Sequence, residues 1–337
     1  EASAELSDTT RSYNALFDNP PDTEARDEER PFEPTDIFQM YCFDYENGCP
    51  LESTTRAHVT VLYPAFLSYE WDNSTELKND FNNISLFSEY GLESIGWKST
   101  HAFEGGIVPD GFDSESTYCR DIDGNPTCGD LESGGCDDPM YCISNPEYEE
   151  YIINCHLEAV VCGSSCTASD AWAATSVCFC DYCMEGFREY LKETMTDRQL
   201  LLLGIEDIDT FDYGDYIREN YYDLYQENYS SGGISSCIPL AEEYNTFQYL
   251  EITALQKRIQ QAVEDANEVY GADVLVGANM ADLNVNFMAC ADTVDFFSPE
   301  LNLPYDPYPR EAVRYELANA FGTVLTGHPN AVQAADL

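Results

Sequence analysis

Residues 145–170 read NPEYEEYIINCHLEAVVCGSSCTASD, and their pattern sets the fold class. Asn145 is a helix cap and Pro146 takes the first helical position, where its missing N–H costs nothing. A helix follows to Val160. The small residues of VCGSSCTASD (161–170) then read as a strand that ends on Asp170. Outward from this unit the same alternation recurs. HVTVLYPAFLSYE (58–70), LESIGWKS (92–99), DVLVGAN (273–279) and TVDFFSPE (293–300) have the branched and aromatic content of buried strands. NDFNNISLFSEYG (79–91), YCMEGFREYLKETM (182–195), a long stretch over 239–269 that stops near Gly271, and REAVRYELANAFG (310–322) have helical spacing. TVLTGH follows the last of these.

Strands that alternate with helices of ten or more residues build βα units on a parallel sheet. Six or seven such units are visible, and their order continues without a reversal. The expected fold is α/β, a (β/α)8 TIM-type barrel over residues 37–337 with disulfide-stapled loops. The count falls short of eight, so either one strand is irregular or the chain belongs to a longer polypeptide. Residues 1–36 are acidic and carry several prolines, and are expected to form an irregular arm. Residues 103–145 read as loop. Within them Asp121-Ile-Asp123-Gly124-Asn125 reads as an Asp-Gly turn, because the ligand order of a Ca²⁺ loop is missing.

With 337 residues, 44% of them hydrophobic, the chain can bury a large core. Asp and Glu total 63 against 15 Lys and Arg, a formal charge of −48. Such a surface repels nucleic acid and anionic lipid, and no apolar run is long enough to span a bilayer. Self-repulsion of this size suits brine or seawater, where it is screened, or a protein that collects Ca²⁺. The opening EASAELSDTT reads as a processed N-terminus. The 14 cysteines are many for a reducing compartment. Together with sequons at Asn73, Asn83 and Asn228 they predict a secreted, disulfide-bonded glycoprotein.

In a parallel barrel the chemistry sits where strands end. Asp170, Asn279 and Glu300 close three strands, and Lys98 and His101 lie at the end of a fourth. Two carboxylates on opposed strand ends can act as acid and base, or acid and nucleophile, on a glycosidic bond. The expected catalytic pair is Asp170 and Glu300, with Lys98, His101, Trp172 and Asn279 on the sugar. Cys178-Phe-Cys180-Asp-Tyr-Cys183 is the sharpest local motif. Its thiols either pair as disulfides, the reading an oxidising compartment favours, or meet one Zn²⁺ with a fourth thiolate from Cys136 or Cys142. No organic cofactor is required, and structural Zn²⁺ or Ca²⁺ are the ions suggested. H-E-x-x-H, G-x-S-x-G, P-loop and G-x-G-x-x-G motifs are absent from the sequence.

From NPEYEEYI through VVCGSSCTASDAWAATSVCFCDYCMEGFREYL the chain resembles the fourth-strand region of family 42 glycoside hydrolases, the β-galactosidases. The resemblance covers roughly 145–300 and is densest over 145–195. It implies a TIM barrel, retaining hydrolysis of a β-glycoside, and a cysteine cluster that in some members binds Zn²⁺. The family's acid/base is a Glu after an Asn. Here the place reads Ala168-Ser169-Asp170-Ala171, one methylene shorter. The family nucleophile lies on the seventh strand, whereas Glu300 belongs nearer the sixth. An alternative is therefore a barrel without catalysis, a self-associating structural or adhesive glycoprotein of the extracellular space.

Overall fold

A computed structural model of the chain describes residues 39–41, 61–63, 93–100, 112–127, 139–170, 178–229, 234–280, 293–301, 324–325 and 328–329. Its strands are β1 (Gln39–Tyr41), β2 (Val61–Tyr63), β3 (Glu93–Ser99), β4 (Cys166–Asp170), β5 (Leu275–Met280), β6 (Phe296–Leu301), β7 (Val324–Leu325) and β8 (His328–Pro329). They form one eight-stranded sheet in the order β1-β2-β3-β4-β5-β6-β7, with β8 paired to β6. Every pairing is parallel. β8 also comes up against β1, so the sheet curls round toward its first strand. The expected βα order is thus observed as a parallel, curling sheet. The helices expected over 79–91 and 310–322, and the 1–36 arm, lie outside the described residues.

The expected helix at 145 is α1 (Pro146–Cys162). The Asn145 side chain accepts a hydrogen bond from the Glu147 N–H at 3.0 Å, and Glu147 and Glu149 set negative charge at the positive end of the helix. Gly163, at φ 81°, ends it by turning the chain into the left-handed region. The strand expected over 161–170 is shorter than its sequence suggested, because this cap and a tight link come first. Ser164 Oγ donates to the Ser94 carbonyl at 3.0 Å, and the Ser165 carbonyl accepts from Leu275 N at 3.1 Å. Small residues are needed there because the link passes between the starts of β3 and β5. The Asp-Gly turn also forms: Gly124 has φ 83° and Asp121 Oδ1 accepts from the Asp123 and Asn125 N–H groups at 2.9 and 2.8 Å.

Between β4 and β5 stand α2 (Asp181–Thr194), α3 (Asp197–Leu202), α4 (Tyr213–Asn220), α5 (Tyr222–Tyr229) and the 30-residue α6 (Ala241–Tyr270). α6 serves two cores. Its Ile252, Leu255, Ile259, Val263 and Ala266 recur every three or four residues and pack with Tyr148, Tyr151, Ile152 and Cys155 of α1 and with Val276 and Ala278 of β5. Its first turns, through Tyr244 and Phe247, join Phe187, Leu191, Tyr213, Ile217 and Tyr225 in an aromatic second core. Phe179 stacks on Tyr244 with ring centroids 5.4 Å apart, and Phe187 meets Tyr244 edge-on at 4.8 Å. Each such pair adds about 0.5–1.5 kcal/mol beyond area burial.

β4 is the pivot. It pairs with β3 on one side and β5 on the other, and Cys166 through Ser169 are buried. Its Thr167 and Ser169 hydroxyls point at the helix layer, where they need partners. His156 of α1 supplies both: Nδ1 lies 2.7 Å from Thr167 Oγ1 and Nε2 lies 3.4 Å from Ser169 Oγ. Ser169 gives its own proton to Gln256 Oε1 of α6 at 2.9 Å. Ser169 can therefore only accept from His156, so Nε2 carries the proton and Nδ1 accepts from Thr167. Burial, and then the Lys98 charge, hold His156 neutral, with its pKa pushed down to about 3.

A second site of fit is Gly277 of β5. It is in register with Phe296 of β6, which is fully buried, and a methyl group at 277 would overlap the Phe296 ring. Gly277→Ala is expected to lower stability by about 1–3 kcal/mol, read from denaturant unfolding, because no slack remains for the added carbon. His156 makes a pH prediction whose sign follows from linkage. The unfolded chain takes up a proton near pH 6.5 and the folded chain only near 3, so stability present above about 6.5 is lost as pH falls toward 3. In His156→Gln this share of the acid sensitivity, up to about 1.4 kcal/mol per pH unit, should vanish when urea midpoints are compared across that window. Equal pH slopes for both proteins would contradict it.

Candidate functional site

Four of the residues singled out in the sequence lie on adjacent strands. Asp170 is the last residue of β4, in register with Ser99 of β3. Asn279 of β5 is in register with Ser298 of β6, and Glu300 of β6 with His328 of β8. Because all these strands are parallel, these positions fall toward one end of the sheet, the C-terminal end of its strands. β4 and β6 are separated by β5 alone. His328 formed part of no motif in the sequence, and only the pairing of β8 brings it to Glu300. His101, Trp172, Cys136, Asn73 and Asn83 lie outside the described residues, and Asn228 belongs to α5.

Lys98 departs from its expected role at a sugar. It is 1% exposed, and its ammonium stands 5.1 Å from the centroid of the Tyr151 ring of α1. Strand alternation explains this: Ser94, Gly96, Lys98 and Thr100 are all buried, so Lys98 shares a face of β3 with residues packed under the helices. Its charge acts inside the helix layer, on His156 and on the π face of Tyr151.

Immediately beyond the β4 end lies the cysteine motif. Cys178 and Cys180 precede α2, Cys180 caps it, and Cys183 falls one turn in. The fourth partner is Cys142. A short antiparallel ribbon carries it, in which Cys142 N donates to Thr117 O and Cys119 N to Met140 O, both at 2.8 Å. Phe179 N donates to Arg120 O at 2.7 Å and docks the motif on that ribbon. The Tyr244 hydroxyl donates to the Cys178 carbonyl and ties the motif to α6. The sulfurs of Cys142, Cys178, Cys180 and Cys183 all lie within 4.8 Å of one another. Cys142 Sγ is 3.5 Å from Cys183 Sγ and 3.4 Å from Cys180 Sγ.

These distances decide between the two readings of the motif. A disulfide is about 2.05 Å long. No two of the nine described cysteines lie at disulfide-bonding distance, so among the described residues the expected staples are not seen. Four thiolates on one tetrahedral Zn²⁺ at about 2.3 Å would sit about 3.8 Å apart, close to the observed spacing. The set fits a single zinc ion held by Cys142, Cys178, Cys180 and Cys183, with Cys142 in the place open to Cys136 or Cys142. Charge points the same way. Burial opposes ionisation of Cys178, but hydrogen bonds from Cys119, Cys142, Cys180 and Cys183 outweigh it and hold its thiol well below the usual range. Hydrogen bonds to neighbouring sulfurs push Cys142 and Cys183 well above it. Ionising all four thiols in one such cluster requires a cation among them.

No family model matches the chain. Over 127 residues it is 29% identical to α-agarases from Thalassotalea agarivorans and from Alteromonas agarilytica. That stretch is 37% of this chain and 8% of each relative, so the match spans less than a tenth of their length. Among solved structures, the catalytic domain of a β-amylase from Paenibacillus polymyxa superposes with a TM-score of 0.55 at 12% identity, over 87% of this chain and 86% of that one. At this identity the similarity shows a shared fold alone.

If zinc fills the cluster, the purified chain should hold one equivalent by elemental analysis. Cys142→Ser should lose most of it, with a lowered melting temperature. Full zinc in that variant would remove Cys142 from the site.

Proposed function

We propose that this protein is a glycoside hydrolase that cleaves galactose-containing polysaccharide, with Asp170 as proton donor and Glu300 as the second carboxylate. The observation that supports the reading is the position of Asp170 and Glu300 on β4 and β6, with β5 alone between them, toward the C-terminal end of a parallel sheet that superposes on a β-amylase catalytic domain. The substrate class draws on the agarose-cleaving relatives and on the resemblance of residues 145–195 to β-galactosidases. A protonated Asp170 would give its proton to the leaving glycosidic oxygen. Glu300 would either attack the anomeric carbon or activate a water: carboxyls about 5–5.5 Å apart retain configuration, and about 6.5–9.5 Å invert it.

The zinc ion, when bound, supplies rigidity and no chemistry of its own, because four thiolates leave no open position. Cys178 stands eight residues after Asp170, so a fixed cluster would anchor the chain soon after the proposed catalytic strand. Work outside the cell is part of the proposal, supported by the three sequons and by a formal charge of −48, which suits salty surroundings.

Agarose and a panel of α- and β-galactosides supply the test, with reducing ends as readout. Asp170→Asn and Glu300→Gln should each lower kcat by about 10²–10⁴-fold with KM little changed. Undiminished hydrolysis in both variants would strip these residues of their roles. A wild-type protein inert on every glycan would overturn the enzymatic reading.

A further inference from the structure

The cluster holds one sulfur more than a tetrahedral ion can use. Cys119 is 2% exposed and packs in the same core as Cys142, Cys178 and Cys183. The ribbon pairs Tyr118 with Tyr141, so Cys119 and Cys142, each next to one of that pair, share the opposite face. The neighbouring Arg120 carbonyl takes the Phe179 N–H, which brings Cys178 to the same spot. The Cys119 thiol is within hydrogen-bonding reach of both Cys142 and Cys178. It is nevertheless not one of the four mutually close sulfurs.

We propose that Cys119 is a resolving thiol that turns the zinc site into a reversible oxidation site: peroxide converts the cluster to a disulfide between Cys119 and Cys142 or Cys178, and the ion leaves. The proposal rests on the four-thiolate site argued above. The chemistry balances in two steps. A ligand thiolate attacks hydrogen peroxide, the O–O bond breaks, and with one proton taken up the products are a sulfenic acid and water. The Cys119 sulfur then attacks the sulfenic sulfur, the S–O bond breaks, and the Cys119 proton leaves with the hydroxyl as a second water. Two thiols are oxidised and one peroxide is reduced. The ion keeps three ligands and dissociates. Cys180, the one partly exposed member of the set, marks the edge from which a small oxidant enters. Cys119 is suited to the second step because a four-coordinate ion draws its ligands from the other four sulfurs, which places the Cys119 sulfur beside the set rather than on the metal. Dithiothreitol and zinc reverse the change.

The experiment uses the zinc-loaded chain and the variant Cys119→Ser, each titrated with hydrogen peroxide. Zinc release is read with a colorimetric chelator, thiols are counted, and disulfides are mapped by mass spectrometry. Before oxidation both proteins should hold one equivalent of zinc. A zinc-free wild type would be the failure of the site itself, and zinc lost only in the variant would make Cys119 a ligand; either result overturns the proposal. After oxidation the wild type should lose its zinc with two thiols, show a Cys119 disulfide to Cys142 or Cys178, and regain zinc on reduction. The variant should instead run on to sulfinic acid and fail to regain zinc. A wild-type disulfide confined to Cys142, Cys178, Cys180 and Cys183, or full recovery of zinc by the variant, would refute the role.

Discussion

A parallel strand in the middle of a sheet has no route to water for its side chains, and β4 is such a strand. With β3 and β5 on either side and residues 166–169 buried, every polar group it carries must be met from within. The hydrogen-bond chain Thr167–His156–Ser169–Gln256 is the answer to that constraint. It fixes α1 and α6 to the same strand and sets the tautomer of the histidine. It also requires that the histidine stay uncharged. An apolar strand would have packed without such conditions, but it would have gripped its helices less specifically.

From this strand the rest of the architecture extends. The chain leaves β4 at Asp170 and, eight residues on, is caught by the thiol cluster. It then runs through the helical lobe and comes back to β5 along α6. α6 rises about 45 Å over its 30 residues, enough to belong to both cores. Its upper turns stack with Phe179 and Phe187 beside the cysteines, and its lower turns pack on α1 and β5. The Tyr244 hydroxyl on the Cys178 carbonyl is where the lobe and the cysteine motif meet.

The sequence exposed the parts of this plan that local chemistry dictates. Asn145-Pro146 opened α1, Gly271 closed α6 with φ 62°, and LESIGWKS and DVLVGAN became β3 and β5. The link between α1 and β4 was misread, since VCGSSC has strand-like composition while Gly163 takes the left-handed geometry of a helix cap. The helices α3, α4 and α5 went unread because they are six to eight residues long, and helices so short depend on tertiary packing rather than on a local pattern. The burial of Lys98 went unread for a related reason. A strand-end position names a rim, but the side chain follows the pleat, and the pleat turned it toward Tyr151. Cys142 stood equal to Cys136 in the sequence, because only the Tyr118–Tyr141 pairing determines which cysteine reaches the motif.

The cysteines change meaning most. Counted in the sequence, they spoke for an oxidising compartment through the disulfides they could form. Folded, four converge at metal-ligand spacing, a fifth stands beside them, and Cys155, Cys162 and Cys166 are buried elsewhere. A metal clamp and a disulfide staple restrain a loop equally well, but they differ in what undoes them. A staple yields to reductant, whereas a thiolate clamp yields to oxidant, acid or a chelator. In this chain Cys178, Cys180 and Cys183 follow the end of β4 within thirteen residues, so whatever binds or releases their sulfurs acts close in sequence to that strand.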